Sequence, residues 1–299
     1  MIRNVLLTGG TGFLGSNILK RLINDNYFVI VLIRKKSDLY RIKNVEGSFE
    51  LFCIDDKLEN LVDVFEKYEI DTIVHTATEY GRNSLVSKIL ETNLIFPIKL
   101  IEHGLKSGLK YFINSDSFFG KKSFNCSSYL NEYTISKKYF LDYLFKSTEE
   151  LKVVNMRLEH VFGETDSDNK FVQNILNGLI NNKKEILLTE GSQKRDFIYV
   201  HDAVEAYLKV IQNIDNIENY TEFEIGTGES ISVSDFIRIL LEMSDSKSEL
   251  KFGALPTREG EIMDSFADVV KLKELGWELS YNLKSAISKM IGIETNGIS

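Results

Sequence analysis

The chain has 299 residues, 43% hydrophobic and 27% charged, with 36 Lys and Arg against 44 Asp and Glu for a net charge of −8. That length and apolar content suit one large α/β domain, or a large one with a smaller partner, around a sizeable core. The acidic balance excludes a general nucleic-acid binder, whose footprint is basic, yet admits an anionic small ligand held by a few placed arginines. The two cysteines, Cys53 and Cys126, form no C-x-x-C pair, and the four histidines have no metal spacing. Reduced cysteines and no metal site are the expectation. The N-terminus enters a strand with no leader pattern, and apolar runs such as 27–33 are strand-sized. A cytoplasmic protein with no membrane segment is therefore expected.

Along the chain, Val5-Leu6-Leu7 predicts a first strand, and residues 13–26 carry a helical pattern. Val29-Ile30-Val31-Leu32-Ile33 is a continuous apolar run, as in a strand buried on both faces of a parallel sheet. Strands are predicted over 49–54, 72–75, 111–113 and 153–158. Helices are predicted over 58–68, 84–105 and 133–151. Strands alternating with helices give an α/β fold, a Rossmann-type doubly wound parallel sheet. Beyond residue 163 the rhythm loosens into a helix over 171–181, an extended run at 185–188 and a strand-like run at 195–200. Helices follow over 203–212, 234–243 and 283–291, the pattern of a smaller C-terminal α/β lobe interleaved with the first. The two long helices, 84–105 and 133–151, can pack as a homodimer interface or simply cover the sheet.

Thr8-Gly9-Gly10-Thr11-Gly12-Phe13-Leu14-Gly15 sits between the first strand and the first helix. Glycines there let backbone amides approach a pyrophosphate, and the helix N-terminus adds partial positive charge. In this position the loop predicts a dinucleotide cofactor. The second strand of such a unit ordinarily ends in a carboxylate for the adenosine ribose; here it ends Ile33-Arg34-Lys35-Lys36. A guanidinium at that point suits a 2′-phosphate, so NADP(H) is preferred over NAD(H).

Tyr133-Thr134-Ile135-Ser136-Lys137 places a phenol and an ammonium at i and i+4, on one helix face. Of 13 tyrosines only Tyr133 has a lysine four residues later, which singles it out. A neighbouring ammonium is expected to lower the phenol's pKa toward working pH.

With the glycine loop, the segment Asn114-Ser115-Asp116-Ser117-Phe118-Phe119-Gly120 and Tyr133 with Lys137, the chain resembles the extended short-chain dehydrogenase/reductases. That family holds nucleotide-sugar epimerases, dehydratases and reductases. Met156-Arg157-Leu158-Glu159-His160-Val161-Phe162-Gly163, Arg195-Asp196-Phe197-Ile198-Tyr199-Val200-His201-Asp202 and Arg258-Glu259-Gly260-Glu261 extend the resemblance over almost the whole chain. The resemblance implies a cofactor domain over 1–163 with 195–228, and a nucleotide-sugar lobe over 164–194 with 229–299. Gly9, Thr11, Gly12, Phe13, Leu14, Gly15, Arg34, Thr76, Ala77, Tyr133 and Lys137 would hold the dinucleotide. Ser115 would polarise a carbonyl, Tyr133 would be the general acid/base, and Lys137 would bind the nicotinamide ribose. Ser115, Asp116, His160, Phe171, Arg195, Arg258 and Glu261 would meet a nucleotide-diphosphate sugar, the two arginines at its diphosphate and Glu261 at the nucleoside ribose.

The 4,6-dehydratases carry Asp-Glu after the catalytic hydroxyl. Here the second position is Ser117, so dehydration is disfavoured, and Asp116 reads as a second acid or as a turn residue bonding local amides. Ala77-Thr78-Glu79-Tyr80-Gly81, residues 114–119, residues 155–160 and Glu261-Ile262-Met263 are similar to the branch that reduces C4 ketones of CDP-linked 3,6-dideoxyhexoses for bacterial surface polysaccharide. Two readings stay open beside it. One is a relative with another chemistry or substrate: a 4-epimerase, or a reductase acting on another nucleotide or a heptose. The other is a non-catalytic redox-sensing regulator.

If Arg34 reads the 2′-phosphate, Arg34→Ala raises the KM for NADPH roughly tenfold to a hundredfold and leaves that for NADH unchanged. Steady-state kinetics with both cofactors checks this; an unaltered preference refutes it.

Overall fold

The computed structural model describes residues 4–81, 84–121 and 130–296. Cys53 carries an exposed free thiol; Cys126 lies outside the described residues. The chain begins β1 (Asn4–Thr8), α1 (Phe13–Asn24), β2 (Phe28–Arg34), β3 (Phe49–Ile54), α2 (Leu61–Lys67) and β4 (Thr72–His75). Next come α3 (Val86–Leu90), a π-helical segment (Glu91–Ile95) and α4 (Phe96–Lys106), where the sequence pattern predicts one uniform helix. Pro97 explains the break, because it has no N–H to give the carbonyl four residues earlier, and the backbone widens just before it.

β5 (Tyr111–Ser117), α5 (Asn131–Lys146) and β6 (Lys152–Leu158) follow, then β7 (His160–Phe162), α6 (Phe171–Ile180) and β8 (Glu185–Leu187). The remaining elements are β9 (Lys194–Arg195), β10 (Phe197–Tyr199), α7 (Val200–Asn213), β11 (Tyr220–Ile225), β12 (Ile231–Ser232), α8 (Val233–Met243), β13 (Glu249–Lys251), α9 (Val270–Glu274) and α10 (Leu283–Asn296).

Seven strands form one sheet in the order β11-β6-β5-β4-β1-β2-β3. This is the doubly wound α/β fold. β1 pairs in parallel with β2 and with β4, so the strand order reverses between β1 and β4. Ligands of such sheets bind beyond the carboxyl ends of the strands at that reversal, and here those ends are Thr8 and His75, set side by side. Val5, Leu6, Leu7, Val29, Ile30 and Val31 are all fully buried, because both sheet faces are covered. Leu6, Ile30 and Ile73 share a core with Val64, Leu100, Phe112, Phe140 and Leu144, while α1 packs on β1 and β2.

Two compact units divide the chain, Met1–Arg157 with Tyr207–Phe223 and Leu158–Ala206 with Glu224–Ser299. Residues 158–163, 195–206 and 224–228, assigned by the sequence reading to the cofactor domain, fall in the second unit. The reason is local: β7 pairs in parallel with β10, and β9 pairs antiparallel with β12. The expected continuous strand over 195–200 is also two strands, interrupted at Asp196. That carboxylate is wholly buried. It accepts from the Thr227 amide at 2.8 and 2.9 Å, Thr227 Oγ1 at 2.8 Å, the Gly228 amide at 3.0 Å and the Ala267 amide at 3.1 Å. One side chain thus gathers two distant loops of the second unit.

Asp196→Ala leaves those buried donors without an acceptor and is expected to destabilise the protein by about 3–5 kcal/mol. Urea denaturation checks it, and a loss under about 1 kcal/mol contradicts the role.

Candidate active site

In the first unit the glycine turn is shaped by close approach. Gly9 adopts φ +69°, and a Cβ there would stand 2.7 Å from the Ala77 amide nitrogen. A Cβ on Gly15 would stand 2.2 Å from the Gly9 carbonyl oxygen. Gly12 differs: the one atom near its absent Cβ is the Gly9 oxygen, at 3.2 Å. Its bareness leaves room above the turn instead of admitting a neighbour. No side chain caps α1, so the amides at Phe13 and Leu14 remain open to an anion. Behind the loop, Thr76 Oγ1 donates to the Thr8 carbonyl at 2.8 Å, and the Ala77 amide donates to Thr8 Oγ1 at 3.3 Å. Arg34, at the end of β2, donates to Thr92 Oγ1 at 3.5 Å. Arg41 Nη1 reaches the Thr11 carbonyl at 3.4 Å. Sequence reasoning passed over this second guanidinium, since nothing in its spacing separates it from an exposed basic turn.

The same unit brings Ser115, Asp116, Tyr133 and Lys137 together. Lys137 is 6% exposed. Its Nζ donates to the Ser115 carbonyl at 2.9 Å, which ties α5 to β5. Burial lowers its pKa to about 8, with the charge on Asp116 acting in the opposite sense. Tyr133 is buried and stacks on Tyr80 with ring centroids 5.2 Å apart. Burial pushes its phenol well above the ordinary value, and Tyr80 and Asp116 push the same way. The expectation that Lys137 acidifies Tyr133 is therefore overturned in the cofactor-free protein. The i, i+4 spacing supplies a shared face, but the lysine's ammonium donates to the Ser115 carbonyl on β5, and the phenol answers to its desolvation.

Asp116 is neither a free acid nor a local turn residue. It accepts from Arg157 Nε at 3.2 Å and Asn155 Nδ2 at 3.1 Å. Arg157 also pairs with Glu222, and Asn155 Nδ2 donates to Glu222 at 3.0 Å. Ser115 Oγ lies 2.7 Å from the Tyr207 hydroxyl. A further support is Asn93, wholly buried in the π segment. It accepts from Thr78 Oγ1 at 3.2 Å and the Glu79 amide at 2.8 Å, and donates to the Glu79 carbonyl at 2.9 Å and Ser136 Oγ at 3.1 Å. Ser136 in turn donates to the Tyr133 carbonyl at 2.7 Å. Tyr207 and Asn93 carry no sequence signal, because their partners are remote in the chain.

The second unit holds the other predicted residues. Arg195, 5% exposed, pairs with Glu261. His160 on β7 packs edge-on against Phe197. Burial, then the charge of Arg195, lowers its pKa to about 3, so the imidazole is neutral. Phe171 opens α6 with its ring 45% exposed, and Arg258 lies on an exposed stretch. The structure thus joins Arg195, Glu261 and His160 in one neighbourhood.

Residues 5–226 match the sequence model of a single family. The chain belongs to the NAD dependent epimerase/dehydratase family. Over 298 residues it is 36% identical to the CDP-abequose synthase of Salmonella typhimurium, covering 96% of this chain and 97% of that protein. It is 34% identical to the CDP-abequose synthase of Salmonella muenchen, covering 98% of each. Among solved structures, the UDP-glucose 4-epimerase of Thermotoga maritima with UDP-glucose superposes with a TM-score of 0.85 at 25% identity, covering 99% of this chain and all of that one. As a member of the epimerase/dehydratase family the chain is a nucleotide-sugar-modifying enzyme, and an NAD(P) dinucleotide is the family's cofactor. The residues present fit such a group, with a bare Gly12 above uncapped helix amides. No helix among the described residues is long and apolar enough to cross a membrane, and no three of their His, Cys, Asp or Glu side chains gather as a metal site.

Lys137 provides a titration test. Its folded pKa of about 8 lies below the ordinary lysine value of 10.5, so between these values the unfolded chain holds more protons, and the group's contribution to stability rises with pH across that window. In cofactor-free protein the Lys137 Cε resonance should titrate near pH 8. Asp116→Asn, which removes a charge that raises the value, should move the midpoint lower. A midpoint that stays put or rises refutes the coupling.

Proposed function

We propose that the protein reduces the C4 ketone of a nucleotide-linked 4-keto-3,6-dideoxy sugar, most closely a CDP-linked one, as in CDP-abequose formation for surface polysaccharide. The observation that supports this reading is the gathering of Ser115, Tyr133 and Lys137 in one unit, with the Lys137 ammonium held on the Ser115 carbonyl and Tyr133 buried one helical turn before it. The phenol, kept protonated by burial, can give its proton to a developing alkoxide. The near full-length likeness to two CDP-abequose synthases supports the substrate. When bound, the dinucleotide supplies the hydride. Tyr133 delivers the proton to the C4 oxygen, and Ser115 donates a hydrogen bond to the same atom. Lys137 holds the nicotinamide ribose, and the Ser115 carbonyl fixes its ammonium in place.

The amides at Phe13 and Leu14 take the pyrophosphate, with Gly9, Thr11, Gly12, Gly15, Thr76 and Ala77 shaping the loop. Arg34 favours NADPH; its guanidinium donates to the Thr92 hydroxyl, and among the described residues no carboxylate pairs with it. On the substrate side, Arg195 and Arg258 meet the diphosphate, Glu261 the nucleoside ribose, and His160 and Phe171 line the same ligand. Asp116, held by Arg157, sets the charge around the reacting groups. Exposed Leu85, Val86, Ile95, Ile135 and Tyr139 on the α3, π and α5 segments support a homodimer.

With NADPH and CDP-4-keto-3,6-dideoxyglucose, stoichiometric cofactor oxidation and a C4 hydroxyl visible by NMR are expected. Tyr133→Phe should lower kcat by roughly 10²–10⁴ while NADPH still binds. Turnover without net NADPH consumption, on tightly held NAD, replaces this reading with a 4-epimerase.

A further inference from the structure

Tyr207 stands on α7 with its side chain 1% exposed, and its hydroxyl lies 2.7 Å from Ser115 Oγ across 92 residues of chain. The direction of that hydrogen bond follows from what each atom needs. Burial raises the Tyr207 pKa far above neutrality, so the phenol keeps its proton. A buried O–H without an acceptor is costly, whereas a hydroxyl oxygen left with a spare lone pair is cheaper. Among the described residues the hydrogen-bond partner of the Tyr207 hydroxyl is Ser115 Oγ. Were Ser115 the donor, the buried phenolic proton would have no acceptor among them.

We infer that Tyr207 is a positioning residue that donates to Ser115 Oγ and so frees the serine's own proton for the oxygen of the reacting carbonyl. The inference rests on the reductase reading and adds to it a residue that no motif marks. A serine hydroxyl rotates about Cβ–Oγ and its proton has several positions to choose from. With one lone pair committed to Tyr207, the orientation that donates back to the phenol is closed. Ser115 is thereby held at two atoms, its carbonyl by Lys137 and its Oγ by Tyr207. A donor aimed before the substrate arrives has no reorientation to make as charge develops on the oxygen. Tyr207 touches neither cofactor nor sugar in this scheme; it acts through Ser115 alone.

That restriction is what the test reads. Tyr207→Phe keeps the ring and removes the donor. With NADPH and CDP-4-keto-3,6-dideoxyglucose, kcat should fall about tenfold, the loss of one hydrogen bond's direction, with KM unchanged. Ser115→Ala should fall further, and Tyr207→Phe added to Ser115→Ala should cost nothing more. Full kcat in Tyr207→Phe, or a loss that multiplies that of Ser115→Ala, overturns the inference and leaves the reductase reading standing. An unmodified protein inert on every 4-keto sugar nucleotide overturns the reductase reading and this inference with it. If Tyr207→Phe does not fold, the unmodified chain labelled with ¹³Cζ at Tyr207 serves instead. Its resonance should shift when Ser115→Ala removes the acceptor, and an unmoved resonance overturns the inference.

Discussion

A lysine ammonium sealed under α5 is the constraint around which the candidate site is arranged. Taking that charge out of water is expensive unless hydrogen bonds and opposite charges compensate. The Ser115 carbonyl supplies the hydrogen bond. The opposite charge comes from beneath the sheet end, where Asp116, Arg157 and Glu222 form a chain in which two carboxylates face one guanidinium. Counted with Lys137, the group is balanced. The balance explains why Asp116 is not spare: it is committed to Arg157 and Asn155, and its field reaches both the lysine and the phenol. An acid–base pair of the dehydratase kind would need a carboxylate where Ser117 stands.

Around this centre the polar groups hold each other in place. Asn93 links the loop bearing Thr78 and Glu79 to the turn of α5 that carries Tyr133. In the second unit Asp196 plays the corresponding part for loops 226–228 and 265–267, beside an Arg195 whose guanidinium meets Glu261. Each is a buried group with its hydrogen-bonding capacity taken up by backbone and hydroxyl groups, an arrangement that fixes geometry more firmly than apolar packing does.

Much of the scaffold was legible because its causes are local. Continuous apolar runs marked β1 and β2, since both faces of a parallel strand are buried, and Gly9 and Gly15 marked the turn, since only bare backbone fits there, with Gly12 leaving room above it. Legibility failed where the cause lies far along the chain. The run 195–200 reads as one strand until Asp196 is seen to serve amides from residues 227, 228 and 267. β11 (Tyr220–Ile225) mixes Thr and Glu with its apolar positions, as an edge strand permits, and gives no clear signal. The spacing of Tyr133 and Lys137 predicted their common face correctly. It predicted the wrong energetic sign, because the terms that decide the phenol's pKa are burial, Tyr80 and Asp116.

The π segment has a consequence for how this chain tolerates length changes. A π turn is an α-helix carrying one additional residue, absorbed as a bulge. Removing a single residue from 91–95 would regularise the helix and would ordinarily count as a mild change. Here the bulge is what presents Asn93 to Thr78, Glu79 and Ser136. The deletion leaves the helix on either side in phase, so Leu100 and Ile101 keep their core positions and the loss falls on the hydrogen bonds of Asn93. Insertions and deletions that surface helices accept should therefore be missing from this stretch in functional variants of the chain, and loop lengths elsewhere should be far freer to vary.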